Sequence, residues 1–210
     1  MNQTKNNITV QKLVIMAVML AIVIVLQALG GMIAIPGTGL SISLTLIPIV
    51  LGAILYGPAF GSVLGLAFGA VVAISVLRGT AGVFSADMFM HRPNLTIFIC
   101  LFKGFAAGLV PGLIAMGLKK KHLYLATLLA ALSAPVMNTG IFCLGLANYY
   151  GDVVDKYAGD ATALYFIVFM IVGVNFLIEL GTNLVFAPAL VRIIQALNKS
   201  GVVKSNTVGL

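Results

Sequence analysis

Charge is scarce in this sequence. Only 8% of its 210 residues are charged and 61% are hydrophobic, whereas in soluble domains about a quarter of residues are Asp, Glu, Lys or Arg. That shortage excludes a water-facing globular surface. Acids are rarest, with five Asp and Glu against twelve Lys and Arg, for a net charge of +7. Tryptophan is absent and there are two cysteines. Cys100 and Cys143 both fall in apolar runs, with no metal-ligand spacing and no loop partner, and read as buried thiols rather than a disulfide.

Signatures of soluble chemistry are missing as well. The chain has no Gly-x-x-x-x-Gly-Lys-Ser/Thr phosphate loop, no His-Glu-x-x-His, and no buried serine with an in-membrane histidine to activate it. The two histidines, His91 and His122, stand at loop positions without a cluster of acids or thiols, so a metal site is not expected. The sequence therefore reads as a non-enzyme with no cofactor of its own. The basic balance, with a pI near 9.6, does not gather into a surface with interleaved aromatics of the kind that binds nucleic acid.

Long apolar runs are what the sequence does have. Mean hydropathy is +1.15, and a helix needs about 20 mainly apolar residues to cross a hydrocarbon core of about 30 Å. Polar and Gly/Pro punctuation divides the chain into apolar spans at 12–29, 43–56, 58–77, 94–118, 123–149 and 163–196. This predicts an all-α membrane protein of six transmembrane helices, a single domain over 1–210 with a cytoplasmic tail at 198–210. The first run follows Lys5 and Lys12 as a signal peptide would, but it is long and lacks a small-residue cleavage site, so it is taken as helix 1. The second is short, about 14 residues, and Tyr56-Gly57-Pro58 joins it to the third. The pair reads as a helical hairpin, with a single re-entrant element as the alternative.

Lysine and arginine set the orientation, because their transfer across the membrane is disfavoured. With the N-terminus in the cytoplasm, Lys5, Lys12, Lys119, Lys120, Lys121, Arg192, Lys199 and Lys204 lie inside. Arg78, Arg92 and Lys156 lie outside, and six spans return the C-terminus to the cytoplasm. The long connections, Gly30 to Ser43, Arg78 to Pro93 and Tyr150 to Thr162, then share the outer face, where loops carry binding functions. No internal repeat is evident, which weighs against an inverted-repeat transporter.

Polar groups inside the bilayer need a structural or functional reason. Lys103 falls in the outer half of its span and Asn138 at a comparable depth. Asn175, Glu179 and Asn183 follow at i, i+4 and i+8, on one helical face. One reading is a polar cavity in which Lys103 and Asn138 help hold a small ligand above a floor of Asn175 and Glu179. The other is mutual bonding, with a Lys103–Glu179 ion pair and amide bonds between helices. Asn183, deepest of the set, reads as structural. Arg78 and Arg92 flank the second outer loop with His91 and Asn94; their planar donors suit a carboxylate or phosphate, and snorkelling to the interface is the alternative. Small residues four apart mark close helix approach: Ala17 and Ala21, Gly61, Gly65 and Gly69, and Gly104 and Gly108.

Taken together, Ala17-Val-Met-Leu-Ala21, Leu46-Ile-Pro48 with Gly52, Tyr56-Gly57-Pro58-Ala-Phe-Gly61, the Lys103-Gly104 and Ala107-Gly108 region before a basic loop, and Pro135-Val-Met-Asn138-Thr139 carry a resemblance. From about residue 10 to 197 the chain resembles the S components of energy-coupling factor (ECF) transporters, six-helix proteins that capture vitamins in prokaryotic plasma membranes. The resemblance implies that Ala17 and Ala21 face a transmembrane coupling subunit, whose complex carries two cytoplasmic ATPases that use the ATP. It also implies a vitamin held in the outer half beneath the loop around Gly37 to Leu40. The cations at Arg78, Arg92 and Lys103 favour a carboxylate-bearing molecule, and the Pro135 to Phe142 stretch is similar to members assigned to pantothenate. The competing readings are a stand-alone ion-coupled carrier with Glu179 as its proton site and, third, an intramembrane enzyme.

Overall fold

The computed structural model describes residues 2–30, 44–159, 162–167 and 173–199, and among these the chain is all helical. In order these are α1 (Asn2–Gly30), α2 (Leu46–Tyr56), α3 (Pro58–Leu77), α4 (Val83–His91), α5 (Pro93–Leu118), α6 (Leu123–Tyr149), α7 (Gly151–Ala158), α8 (Ala163–Tyr165) and α9 (Val174–Lys199). Five of them contain stretches long and apolar enough to cross a membrane: Lys12–Gly30, Pro58–Leu77, Pro93–Leu118, Leu123–Tyr149 and Phe176–Leu197. The protein is therefore a multi-pass membrane protein. The Gly37 to Leu40 loop and the tail beyond residue 199 lie outside the described residues.

Contact between backbones, not side-chain bulk, holds α3 to α5. A methyl group built on Gly61 would come within 2.3 Å of the Gly108 carbonyl oxygen, and one on Gly69 within 2.4 Å of that of Cys100. No Cβ fits there. Hydrocarbon offers little hydrophobic drive between helices, so van der Waals contact from close approach has to supply the association. The glycine spacings on both helices thus serve packing inside the bundle.

The second apolar run forms α2, an 11-residue helix about 16 Å long at 1.5 Å per residue. It lies within the bundle, with Leu46, Ile49, Val50, Ala53 and Ile54 almost wholly buried. Gly57, at φ 97°, turns the chain into α3, where Pro58 takes the first turn and needs no amide hydrogen. Tyr56 stacks on Phe60 across this turn, ring centres 4.6 Å apart. Two contacts place the turn beside the last turns of α5. Lys119 Nζ donates to the Ile54 carbonyl at 3.1 Å, and a methyl on Gly112 would come within 2.4 Å of Pro58 Cα. A lysine on the final carbonyls of a helix meets the negative end of its dipole. At the other end of α2, fully buried Thr45 donates its hydroxyl to Gln27 Oε1 of α1 at 3.1 Å.

Two of the segments read from the sequence as outer loops contain helices. The stretch from Arg78 to Pro93 holds α4, and that from Tyr150 to Thr162 holds α7. Neither is long or apolar enough to span, but each buries one side. Met88 joins Leu146, Tyr150, Val153 and Val154 in a small core over the ends of α5 and α6. The main core lies deeper, between α2, α3, α5, α6 and α9. α1 is peripheral: 11% of its apolar window is buried, against 50% for α3.

Candidate functional site

Lys103 sits on α5 one residue before Gly104, on a helix that approaches α3 too closely for long side chains between them. Its ammonium goes to aromatic faces, 5.1 Å from the ring centre of Phe142 on α6 and 6.0 Å from that of Phe68 on α3. A cation at that range is attracted by the ring quadrupole. Among the described residues no carboxylate lies within ion-pair distance of Lys103, so the Lys103–Glu179 pair considered from the sequence is not formed. Sequence reading missed both rings, although the four-residue step from Asn138 to Phe142 puts them on one face of α6.

One turn along α6 from Phe142, Asn138 is 5% exposed, and on α9 Glu179 is 2% exposed and Asn183 1%. Asn138 Nδ2 donates to Glu179 Oε2 at 3.4 Å, a long bond by the usual 2.7–3.2 Å standard. Asn183 Nδ2 donates to the Glu179 carbonyl at 2.8 Å. The side-chain oxygens of both asparagines, buried in the bundle, have no hydrogen-bond partner among the described residues. Asn183 thus stands beside Glu179 with acceptor capacity of its own, beyond the bracing role read from sequence. Asn175 occupies the first turn of α9, and its side chain lies outside the described residues.

The arginines are set apart from this cluster. Arg78 ends α3 and Arg92 links α4 to α5, and both are exposed. Among the described residues neither side chain forms an ion pair with Glu179. Arg92 contributes its carbonyl instead, which accepts from Tyr150 Oη at 3.3 Å and from Thr96 Oγ1 at 2.9 Å. Fully buried Tyr150, between α6 and α7, also lies 2.7 Å from Thr96 Oγ1. Burial pushes its hydroxyl above the usual tyrosine range.

The short helices α4 and α7 are clasped together. Lys156 Nζ and Tyr157 Oη donate to Asp87 Oδ2 at 2.6 and 2.7 Å. The Lys156 hydrogen bond, then that from Tyr157, holds the Asp87 carboxyl below its usual range, and Asp87 raises Lys156 in return. His91 Nε2 lies 3.9 Å from Asp152 Oδ2, which makes an ion pair when His91 is protonated. Phe84 meets Tyr157 edge-on at 5.2 Å.

Two other features bear on binding. A groove of about 460 Å³ opens between α5 and α6, lined by Leu113, Ile114, Leu129, Leu132 and Val136 among others. It is apolar and lies toward the Lys119 end, away from Lys103, so it does not suit a polar ligand. Ala17 and Ala21 are both exposed on α1. Among the described residues no group of three His, Cys, Asp or Glu side chains could hold a metal ion, and both thiols are free.

No curated protein sequence matches the chain. The family profile of the ECF transporter substrate-specific component matches residues 11–191. Apolar helices that bury polar side chains suit such a transport subunit, and the chain belongs to the substrate-specific components of ECF transporters.

Proposed function

We propose that this component captures a small carboxylate-bearing vitamin, pantothenate being our assignment, at the outer half of a prokaryotic plasma membrane. One observation carries the reading: Lys103 holds a positive charge inside the bundle, against Phe68 and Phe142, without a carboxylate partner among the described residues. An intramembrane cation is costly and by default marks a functional site. A ligand carboxylate supplies the missing countercharge. Arg78 and Arg92 form an outer rim that draws anions toward it, and Asn138, Asn175 and Glu179 form the floor.

In this reading the N- and C-termini are cytoplasmic and the chain crosses six times, with the short run at 43–56 that holds α2 as the second crossing. The position of the Gly57 turn supports the hairpin, since Lys119, in the basic connection after α5, reaches Ile54. A transmembrane coupling subunit docks on α1 at Ala17 and Ala21, where small side chains admit another helix. Two cytoplasmic ATPases of the same complex supply the energy.

The test is direct. Isothermal titration of the purified chain with pantothenate should give one tight site, and mass spectrometry should identify the same compound in protein purified from cells. Retention of a vitamin without a carboxylate would overturn the assignment.

A further inference from the structure

The polar cluster beneath Lys103 leaves two buried acceptor atoms over, the side-chain oxygens of Asn138 and Asn183. Glu179 Oε2 accepts from Asn138 Nδ2, which turns that amide with its NH₂ toward the carboxylate and its oxygen away. Asn183 Nδ2 is used by the Glu179 carbonyl, which again leaves the amide oxygen over. Both residual oxygens are buried and without a hydrogen-bond partner among the described residues. A buried acceptor left unsatisfied is destabilising, and two in one cluster of a membrane bundle call for a donor from elsewhere.

The cation and the acceptors are separated along α6. Lys103 is held against Phe142, and Asn138 stands four residues away on the same face, about 6 Å by helical rise. From α6 and α9 together the site is polarised, with one positive end by Phe142 and one acceptor end formed by the side-chain oxygens of Asn138 and Asn183. A ligand that satisfies both ends needs opposite chemistry at its own two ends.

We infer that the site selects a bipolar molecule, with a carboxylate at the Lys103 end and hydrogen-bond donors, hydroxyl or amine, at the Asn138–Asn183 end. This rests on the binding reading above and adds to it a ligand orientation and a substrate class. A simple fatty or aromatic carboxylate satisfies only one end and is discriminated against. A neutral polyol satisfies only the other.

Three probes separate the ends: pantothenate, pantothenol, in which the carboxylate is replaced by a neutral hydroxymethyl group, and the acyl-β-alanine that keeps the carboxylate and lacks both hydroxyls. Binding to wild type should weaken at least tenfold with either replacement. Lys103→Gln should weaken pantothenate binding and leave pantothenol unchanged. Asn138→Leu and, as an independent variant, Asn183→Leu should weaken pantothenate binding and leave the acyl-β-alanine unchanged, with a monodisperse elution profile reporting the fold. Crossed pairings, or analogues that bind as tightly as pantothenate, overturn the orientation. If wild type binds none of the three, the pantothenate assignment falls, and the compound retained on purification decides the rest. A different carboxylate with distal donors keeps the polarity, a compound lacking either end overturns it, and retention of nothing overturns both.

Discussion

Gly65 and Gly104 touch through their backbones: a methyl built on Gly65 would sit 2.0 Å from the Gly104 carbonyl oxygen, and one on Gly104 2.3 Å from that of Gly65. Neither oxygen can withdraw, because each belongs to a continuous helix. The contact fixes α5, and with it Lys103, against α3. Gly65→Ala or Gly104→Ala should lower stability by about 1–3 kcal/mol, the range for overpacking a filled core. Gly140, which has open space around its Cβ position, is the control. Thermal unfolding in detergent should show a marked drop in Tm for the first two variants and little change for Gly140→Ala.

Lys103 tests the site without testing the fold, since among the described residues its contacts are with ring faces and not with a buried countercharge. A charge-assisted hydrogen bond contributes about 1.5–3 kcal/mol, and each 1.4 kcal/mol is a factor of ten in affinity. Lys103→Gln should therefore reduce pantothenate affinity about 10- to 100-fold in titration calorimetry, with Tm of the ligand-free protein close to wild type. Undiminished affinity would remove Lys103 from the site.

Uptake and binding should separate on α1. Ala17 and Ala21 are exposed and lie at the edge of the bundle, so an arginine at either position displaces no buried neighbour. Ala17→Arg and Ala21→Arg should abolish vitamin uptake in cells expressing the whole complex, while the purified variants bind as wild type does. Normal uptake by both would move the docking surface elsewhere.

The α4–α7 clasp has a pH window. Asp87 has a depressed carboxyl, so its contribution is present above the unfolded carboxylate value of about 4 and is lost as pH falls through the lower folded value. Lys156 and Tyr157 are raised, so theirs are present below about 10 and are lost as pH rises through the folded values. Protection of α4 and α7 amides from hydrogen exchange should hold between these limits and fall beyond both. Asp87→Asn should flatten the acid side of the profile. High salt should loosen the clasp, because exposed pairs are screened.

Membrane character and all-helical class were legible in the sequence because they follow from composition. So few charges allow no aqueous surface, and backbone groups in hydrocarbon must bond within their own helix. The buried positions of Asn138, Glu179 and Asn183 were approachable for the same reason, since spacing along a helix assigns a face. The partners were not legible. Nothing in local sequence says whether Lys103 meets Glu179 or the rings of Phe68 and Phe142, because that depends on the rotation of α3, α5 and α6 about one another. Nor did the second and third outer loops announce α4 and α7, since short amphipathic helices lack the long apolar run that betrays a span. The sequence by itself determined the solvent of this protein, through the energy of placing each residue in lipid or water. Only the tertiary structure decided which polar groups face each other, because helix rotation and approach are set by long-range contacts such as those of Gly65 with Gly104.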